Sequence, residues 1–290
     1  MIYDIRQTTV CNYASPVANA RHVLRLTPIN RPGQRVTVTA LQIVPEPAQR
    51  RETQDFFGNR VTCISLEEPH EKLTVKMSAR IAVDERTASP KTPAFEAVRD
   101  AAFAAADIGP TSPAHYLFPS RMVSLDPEIR DYARESFPPG RPVFDGALNL
   151  NHRIKTDMTY DAAATTVTTT PPMSFALRRG VCQDFAHIMI AGLRGLGLPA
   201  AYVSGYLRTI PREGSAGLQG ADAMHAWVMV WCGDETGWVG LDPTNDMPAS
   251  DDHVTLAVGR DYADVAPMDG VVLVSGGQTI DVSVNVIPVT

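Results

Sequence analysis

Gly180-Val181-Cys182-Gln183-Asp184-Phe185-Ala186-His187 leads from a loop into an apolar segment and places a cysteine at the junction. On to Leu196, the segment keeps Gln183, Asp184, His187 and Arg194 on a narrow polar stripe and is apolar elsewhere. That pattern predicts a helix over 181–196, buried on most of its surface. Gly195, Gly197 and Pro199 end it. The first turn of a helix carries partial positive charge and free N–H groups. These favour thiolate over thiol and can donate to an oxyanion, so Cys182 is a candidate nucleophile.

Three strands are predicted after the helix, at 201–208, 224–232 and 238–242, which makes this half α+β. His225 lies 43 residues past Cys182 (225 − 182), and Asp242 lies 17 further on (242 − 225). A thiol nucleophile needs an imidazole to take its proton and later protonate the leaving amine. It also needs an acid that fixes the imidazole tautomer. His225 and Asp242 are the candidates for these two roles.

Register tests the pairing. If Cys232 pairs with Gly237, paired numbers sum to 469 and Asp242 lies across from Trp227, on the His225 face. His225 and Asp242 are then diagonal neighbours, roughly 7–8 Å apart at the backbone, which long side chains can bridge. The odd-sum register is expected. An even sum would remove Asp242 from the set.

Upstream, Leu73, Val75, Met77, Ala79, Ile81 and Val83 alternate with polar residues, as a half-buried antiparallel strand does. Residues 35–44 and 61–66 read as further strands, and the expected unit is a β-sandwich-like domain over 1–85. Residues 86–143 are a helical connecting region, with helices starting near Thr92-Pro93 and Asp126-Pro127. A third helix is expected within 144–155. Residues 144–290 form the catalytic core, closed by a final β-hairpin turning at Gly276-Gly277.

Other polar residues have quieter expected roles. His187, five positions past Cys182, is expected to point away from it, and Asp184 to serve its own helix dipole. Trp227, Trp231 and Trp238 read as core or cleft wall. Asp251-Asp252-His253 reads as a solvated loop, and the Gly- and Ser-containing stretch 210–222 as a mobile loop over the site.

At 290 residues, 44% hydrophobic and 20% charged, the chain can bury a sizeable core. A net charge of −6 disfavours nucleic acid and anionic membranes as partners. Cys11, Cys63, Cys182 and Cys232 are scattered without a CxxC pair, so reduced thiols are expected, with no metal and no cofactor. The alternating start, Met1 to Arg6, does not resemble a signal peptide, and cytoplasmic residence is the expectation.

Three segments together resemble the core signatures of the transglutaminase-like superfamily: residues 180–187, Ala223-Met224-His225-Ala226-Trp227 and Gly240-Leu241-Asp242-Pro243-Thr244-Asn245. Asp55-Phe56-Phe57-Gly58-Asn59 is similar to a motif of the β-rich N-terminal region of bacterial transglutaminase-like proteins, and 259–267 to a segment that follows their core. The resemblance implies a papain-like core behind the sandwich, with Cys182, His225 and Asp242 as nucleophile, base and orienting acid. It implies acyl transfer through a thioester on a peptide or protein substrate. Hydrolysis is favoured here over transamidation, and a noncatalytic peptide-binding module is the alternative. The missing CxxC pairs argue against the zinc-containing deglycosylase branch, and no acidic calcium loop is evident. Papain proteases proper place histidine roughly 130–150 residues beyond the cysteine, far more than the gap here.

Overall fold

A computed structural model of the chain describes residues 1–84, 90–211, 213, 217–219 and 224–289. Six strands come first: β1 (Ile2–Val17), β2 (Asn19–Leu24), β3 (Gln34–Val44), β4 (Gln49–Gln54), β5 (Arg60–Leu66) and β6 (His70–Val83). Helices α1 (Phe95–Phe103), α2 (Pro127–Arg134) and α3 (Val143–Asp157) follow. Short strand β7 (Thr159–Tyr160), helix α4 (Pro171–Leu177) and short strand β8 (Arg179–Gly180) lead into α5 (Cys182–Gly195). The remainder is β9 (Ala200–Leu207), β10 (His225–Trp231), β11 (Trp238–Asp242), β12 (Met247–Pro248), β13 (His253–Gly259), α6 (Tyr262–Val265), β14 (Met268–Leu273) and β15 (Gln278–Pro288).

Of the two expected helix starts, the one at Thr92-Pro93 is not formed: α1 begins at Phe95 behind Ala94, without a side-chain cap, and the Thr92 hydroxyl oxygen accepts the Phe144 N–H instead. Asp126 caps α2, its carboxylate accepting the Glu128 and Ile129 N–H groups, with Pro127 in the first turn. In β6 the alternation predicted from sequence is the observed burial pattern, with Leu73, Val75, Met77, Ile81 and Val83 wholly or nearly buried.

Two four-stranded sheets, ordered β15-β1-β6-β3 and β14-β2-β5-β4, form the sandwich. The final hairpin expected within the core is therefore not formed. The turn exists, with Gly276 at φ 102°, but its two arms enter different sheets. Strand β15 pairs with β1 and β14 with β2, so the C-terminal strands complete the N-terminal sandwich. Period-2 alternation identifies a strand and one buried face. It does not choose the partner. Burial of Val284 and Val286 beside Ile5, Tyr3 and Ile81 supplies the apolar contact that decides it.

The half that carries Cys182, His225 and Asp242 is a mixed layer: α5 lies against a five-stranded antiparallel sheet ordered β12-β11-β10-β9-β13. Phe185, Ala186, Ile188, Met189, Ile190, Ala191 and Leu193 share one core with Ala200, Tyr202, Val228, Val230 and Leu241. The α+β class expected from the sequence is the class observed.

Edge strand β13 meets the sandwich through side-chain amides. Asn59 Nδ2 donates to the Val258 carbonyl at 2.8 Å, and Asn59 Oδ1 accepts the Val258 N–H at 2.8 Å. Gln34 does the same one pair along, its amide bonding both the N–H and the carbonyl of Thr255 at 2.8 Å. Two amides thus stand in for a neighbouring strand. Asn59→Ala leaves both Val258 groups buried without partners, at about 1–3 kcal/mol each. A loss of roughly 2–6 kcal/mol in denaturant unfolding is expected. An unchanged midpoint would contradict this role for Asn59.

Candidate active site

Cys182 is the first residue of α5, and extended Val181 is its N-cap. Valine has no side-chain acceptor, so the cap comes from the other direction. The Asp184 carboxylate reaches back to accept the Val181 N–H at 2.8 Å and the Thr165 hydroxyl at 2.7 Å. Gly180 permits this, because a Cβ there would collide with the Asp184 carboxyl group. Burial raises the pKa of Asp184 above the usual carboxylate value, against the opposing pull of the Thr165 and Val181 hydrogen bonds. Asp184 thus serves its helix end, as expected, and also locks the loop that presents the thiol. Cys182 is partly exposed, whereas Cys11 and Cys232 are buried.

Strands β10 and β11 pair in the odd-sum register: Val228 with Leu241 and Trp231 with Trp238, each pair summing to 469. The Cys232 N–H donates to the Gly237 carbonyl at 2.8 Å to close the turn. His225 and Asp242 are brought together as that register requires, with His225 Nε2 2.9 Å from Asp242 Oδ2 and both side chains fully buried. On its other side His225 pairs with Gly205 of β9. A Cβ at Gly205 would run into the Trp227 ring and the Val254 carbonyl, so only glycine lets Trp227 stack beside His225.

Asp242 accepts five hydrogen bonds. Oδ1 takes the Thr244 N–H at 2.9 Å and the Asn245 N–H at 3.3 Å. Oδ2 takes the Asn245 side-chain amide at 2.8 Å, His225 at 2.9 Å and His253 at 3.2 Å. Burial alone would raise the Asp242 pKa, but His225 and His253 outweigh it and hold the carboxyl well below the usual range. Burial likewise opposes charge on His225, and the Asp242 carboxylate overcomes it, pushing the imidazole pKa well up. The Cys182 side chain adds to this upward push, so the thiol lies close to the ring. His225 Nδ1 is buried and makes no aligned hydrogen bond. With Nε2 taken by Asp242, Nδ1 is the nitrogen left for the thiol.

His253 corrects the expected solvated loop. It is fully buried at the start of β13, against Asp242 and the Trp227 ring. The strand was hidden because polar Asp251-Asp252-His253 masks its start and a bulge between Thr255 and Ala257 breaks its alternation. Asn245 was also missed as a donor to Asp242. Its signal was an Asx-type turn after Asp242-Pro243.

His187 is buried and packs on Tyr202, and its Nε2 accepts the Tyr262 N–H at 3.2 Å. Burial drops its pKa to about 4, so it is a neutral structural side chain. Trp227 is core, while Trp238 donates to the Thr111 carbonyl at 3.0 Å. Ala223 and residues 212, 214–216 and 220–222 of the loop expected over the site lie outside the described residues. Among the described residues no group of histidine, cysteine and carboxylate side chains is arranged to hold a metal, and no helix is long and apolar enough to cross a membrane.

Residues 3–82 match the bacterial transglutaminase-like N-terminal region, and residues 130–243 match the transglutaminase-like superfamily. Uncharacterised proteins of Mycobacterium bovis and Mycobacterium tuberculosis are each 37% identical over 296 residues, covering 99% of this chain and 92% of theirs. The solved structure of a proposed cysteine protease from Cytophaga hutchinsonii aligns with TM-score 0.75 at 22% identity, covering 100% of this chain and 92% of that one. At that identity the likeness speaks for the fold alone.

Proposed function

The chain belongs to the transglutaminase-like superfamily, and from that premise we propose that it is a cysteine hydrolase in which Cys182, His225 and Asp242 cleave a peptide or side-chain amide through a thioester. One observation carries this reading: a buried imidazole holds Asp242 through Nε2 and leaves Nδ1, without an aligned partner, beside the thiol at a helix start.

The steps follow from these positions. The Cys182 proton moves to His225 Nδ1, and sulfur attacks the amide carbon, forming a C–S bond as the carbonyl electrons move onto oxygen. The Cys182 backbone N–H, unbonded at the helix start, donates to that oxyanion. Collapse breaks the C–N bond, and the leaving amine takes the proton from His225 Nδ1. Water then attacks the thioester, its proton passes to His225, and the acid leaves as the thiolate is regenerated. Asp242 stays ionised throughout and stabilises the imidazolium. Hydrolysis is proposed over transamidation because water needs no dedicated acceptor site, and a cross-linker would need tight control over its amines.

The test is intact-mass detection of an acyl adduct on Cys182 during incubation with a peptide library, with and without added amine. An adduct that decays to free acid, absent from Cys182→Ala, is expected. A product that forms only with amine would overturn the hydrolase assignment. No adduct, with Cys182 alkylated no faster than Cys11, Cys63 and Cys232, would overturn the enzyme assignment and favour a noncatalytic peptide-binding module.

A further inference from the structure

Two imidazoles share one carboxylate oxygen in this site, each through Nε2, and they differ in what meets Nδ1. On His253, Nδ1 receives the backbone N–H of Ser250 at 3.1 Å. A backbone N–H only donates, so Nδ1 must offer a lone pair and carry no proton. The ring proton then sits on Nε2, which lies 3.2 Å from Asp242 Oδ2 and donates to it. The arrangement is short in sequence and closed on itself, since the His253 N–H also bonds the Ser250 carbonyl at 3.1 Å. The His253 side chain is fully buried, and its ring lies edge-on to Trp227, with centroids 5.2 Å apart. Trp227 in turn stacks beside His225. His253 therefore has its tautomer set by Ser250, its plane set by Trp227, and its one proton aimed at the carboxylate that holds the base.

We infer that His253 is a positioning residue for the Cys182 reaction: a neutral, Nε2-protonated imidazole that fixes the Asp242 carboxylate so that His225 alone exchanges protons with the thiol. The inference rests on the Cys182–His225–Asp242 assignment above. What it adds is a division of labour. Asp242 Oδ2 faces His225 on one side and must not rotate when the proton arrives on Nδ1. The backbone N–H groups of Thr244 and Asn245 hold Oδ1, while His253 and the Asn245 amide hold Oδ2 from the sides His225 does not occupy. His253 acts through Asp242 and touches no reacting atom.

The position demands a donor of the right reach, not a base. Glutamine can place an Nε2 amide proton near the Nε2 position of histidine, whereas phenylalanine fills the space without a donor. The test compares iodoacetamide alkylation of Cys182 in native protein, His253→Phe and His253→Gln, with sites resolved by peptide mass mapping. His253→Phe is expected to slow Cys182 alkylation about tenfold, the scale of one hydrogen bond to a charged group. His253→Gln is expected to return it to within about threefold of native protein. Equal rates in native protein and His253→Phe, or a loss as large in His253→Gln as in His253→Phe, would overturn the inference.

Should the phenylalanine variant fail to fold, ring-nitrogen NMR of the native protein decides. His253 is expected with Nε2 protonated and Nδ1 bare, and a proton on Nδ1 would overturn the assignment. A native protein whose Cys182 reacts no faster than its other cysteines would instead sink the parent triad assignment. The two failures are therefore distinguishable.

Discussion

Replacing Asp242 with asparagine is expected to slow formation of the Cys182 adduct by roughly three to four orders of magnitude, the scale seen when a triad carboxylate becomes an amide. Five donors converge on the two carboxylate oxygens, so an amide cannot satisfy them in either orientation. With its oxygen at the Oδ2 position, the amide NH2 faces the N–H groups of Thr244 and Asn245. With its nitrogen there, it faces the Asn245 amide, His253 Nε2–H and His225. In the second case the His225 proton is driven to Nδ1, the nitrogen that must accept from the thiol. Breaking a buried charged pair adds about 3–5 kcal/mol of destabilisation.

The same substitution removes a pH dependence whose sign follows from the two shifts. The His225 pKa is raised in the folded state, so its stabilisation is fully present below the unfolded imidazole value, about 6.5, and is lost as pH rises through the folded one. The Asp242 pKa is depressed, so its contribution is present above the unfolded carboxylate value, about 3.9, and is lost only as pH falls through the folded one. Native stability should therefore fall as pH rises above about 6.5. The difference between native protein and Asp242→Asn should narrow over the same range. Denaturant unfolding across pH measures it, and a difference that stays constant above neutrality would show that the pair is not charged in the native state.

The parts of this molecule legible in sequence are those whose signals are local. Cys182 stands at a loop-to-helix junction whose polar stripe is visible within fourteen residues. The β10–β11 turn is short enough for its register to be enumerated, and the odd-sum pairing that places Asp242 near His225 is the one observed. The parts that escaped depend on contacts between distant segments. Strand β13 joins β9 through a bulge, and its outer edge is satisfied by Asn59 and Gln34, residues about 200 positions away. No periodicity within 251–259 carries that information. The last strand alternates as cleanly as a hairpin arm, yet its partner is β1, while β14 pairs with β2. His253 was therefore unreadable as part of the site. Its role exists only once β13 lies beside β9 and brings the ring against Asp242.

His225→Gln is expected to lower formation of the Cys182 adduct by roughly two to four orders of magnitude, the range that general acid–base groups contribute, while leaving the fold intact. A glutamine at 225 keeps an amide donor for Asp242 Oδ2, and the other four donors to Asp242 do not involve His225. The buried carboxylate thus stays satisfied, so the large penalty for an orphaned charge is avoided. An amide cannot take the thiol proton, nor return one to a leaving amine. Activity and stability should separate: adduct formation collapses while the unfolding midpoint moves little. The identical substitution at His253, on the same oxygen, is expected to be nearly silent. One position requires a group that gains and loses a proton, and the other requires only an N–H pointing at Asp242. If His225→Gln and His253→Gln depress Cys182 reactivity equally, the two imidazoles are not divided in this way, and the carboxylate rather than the base limits the chemistry.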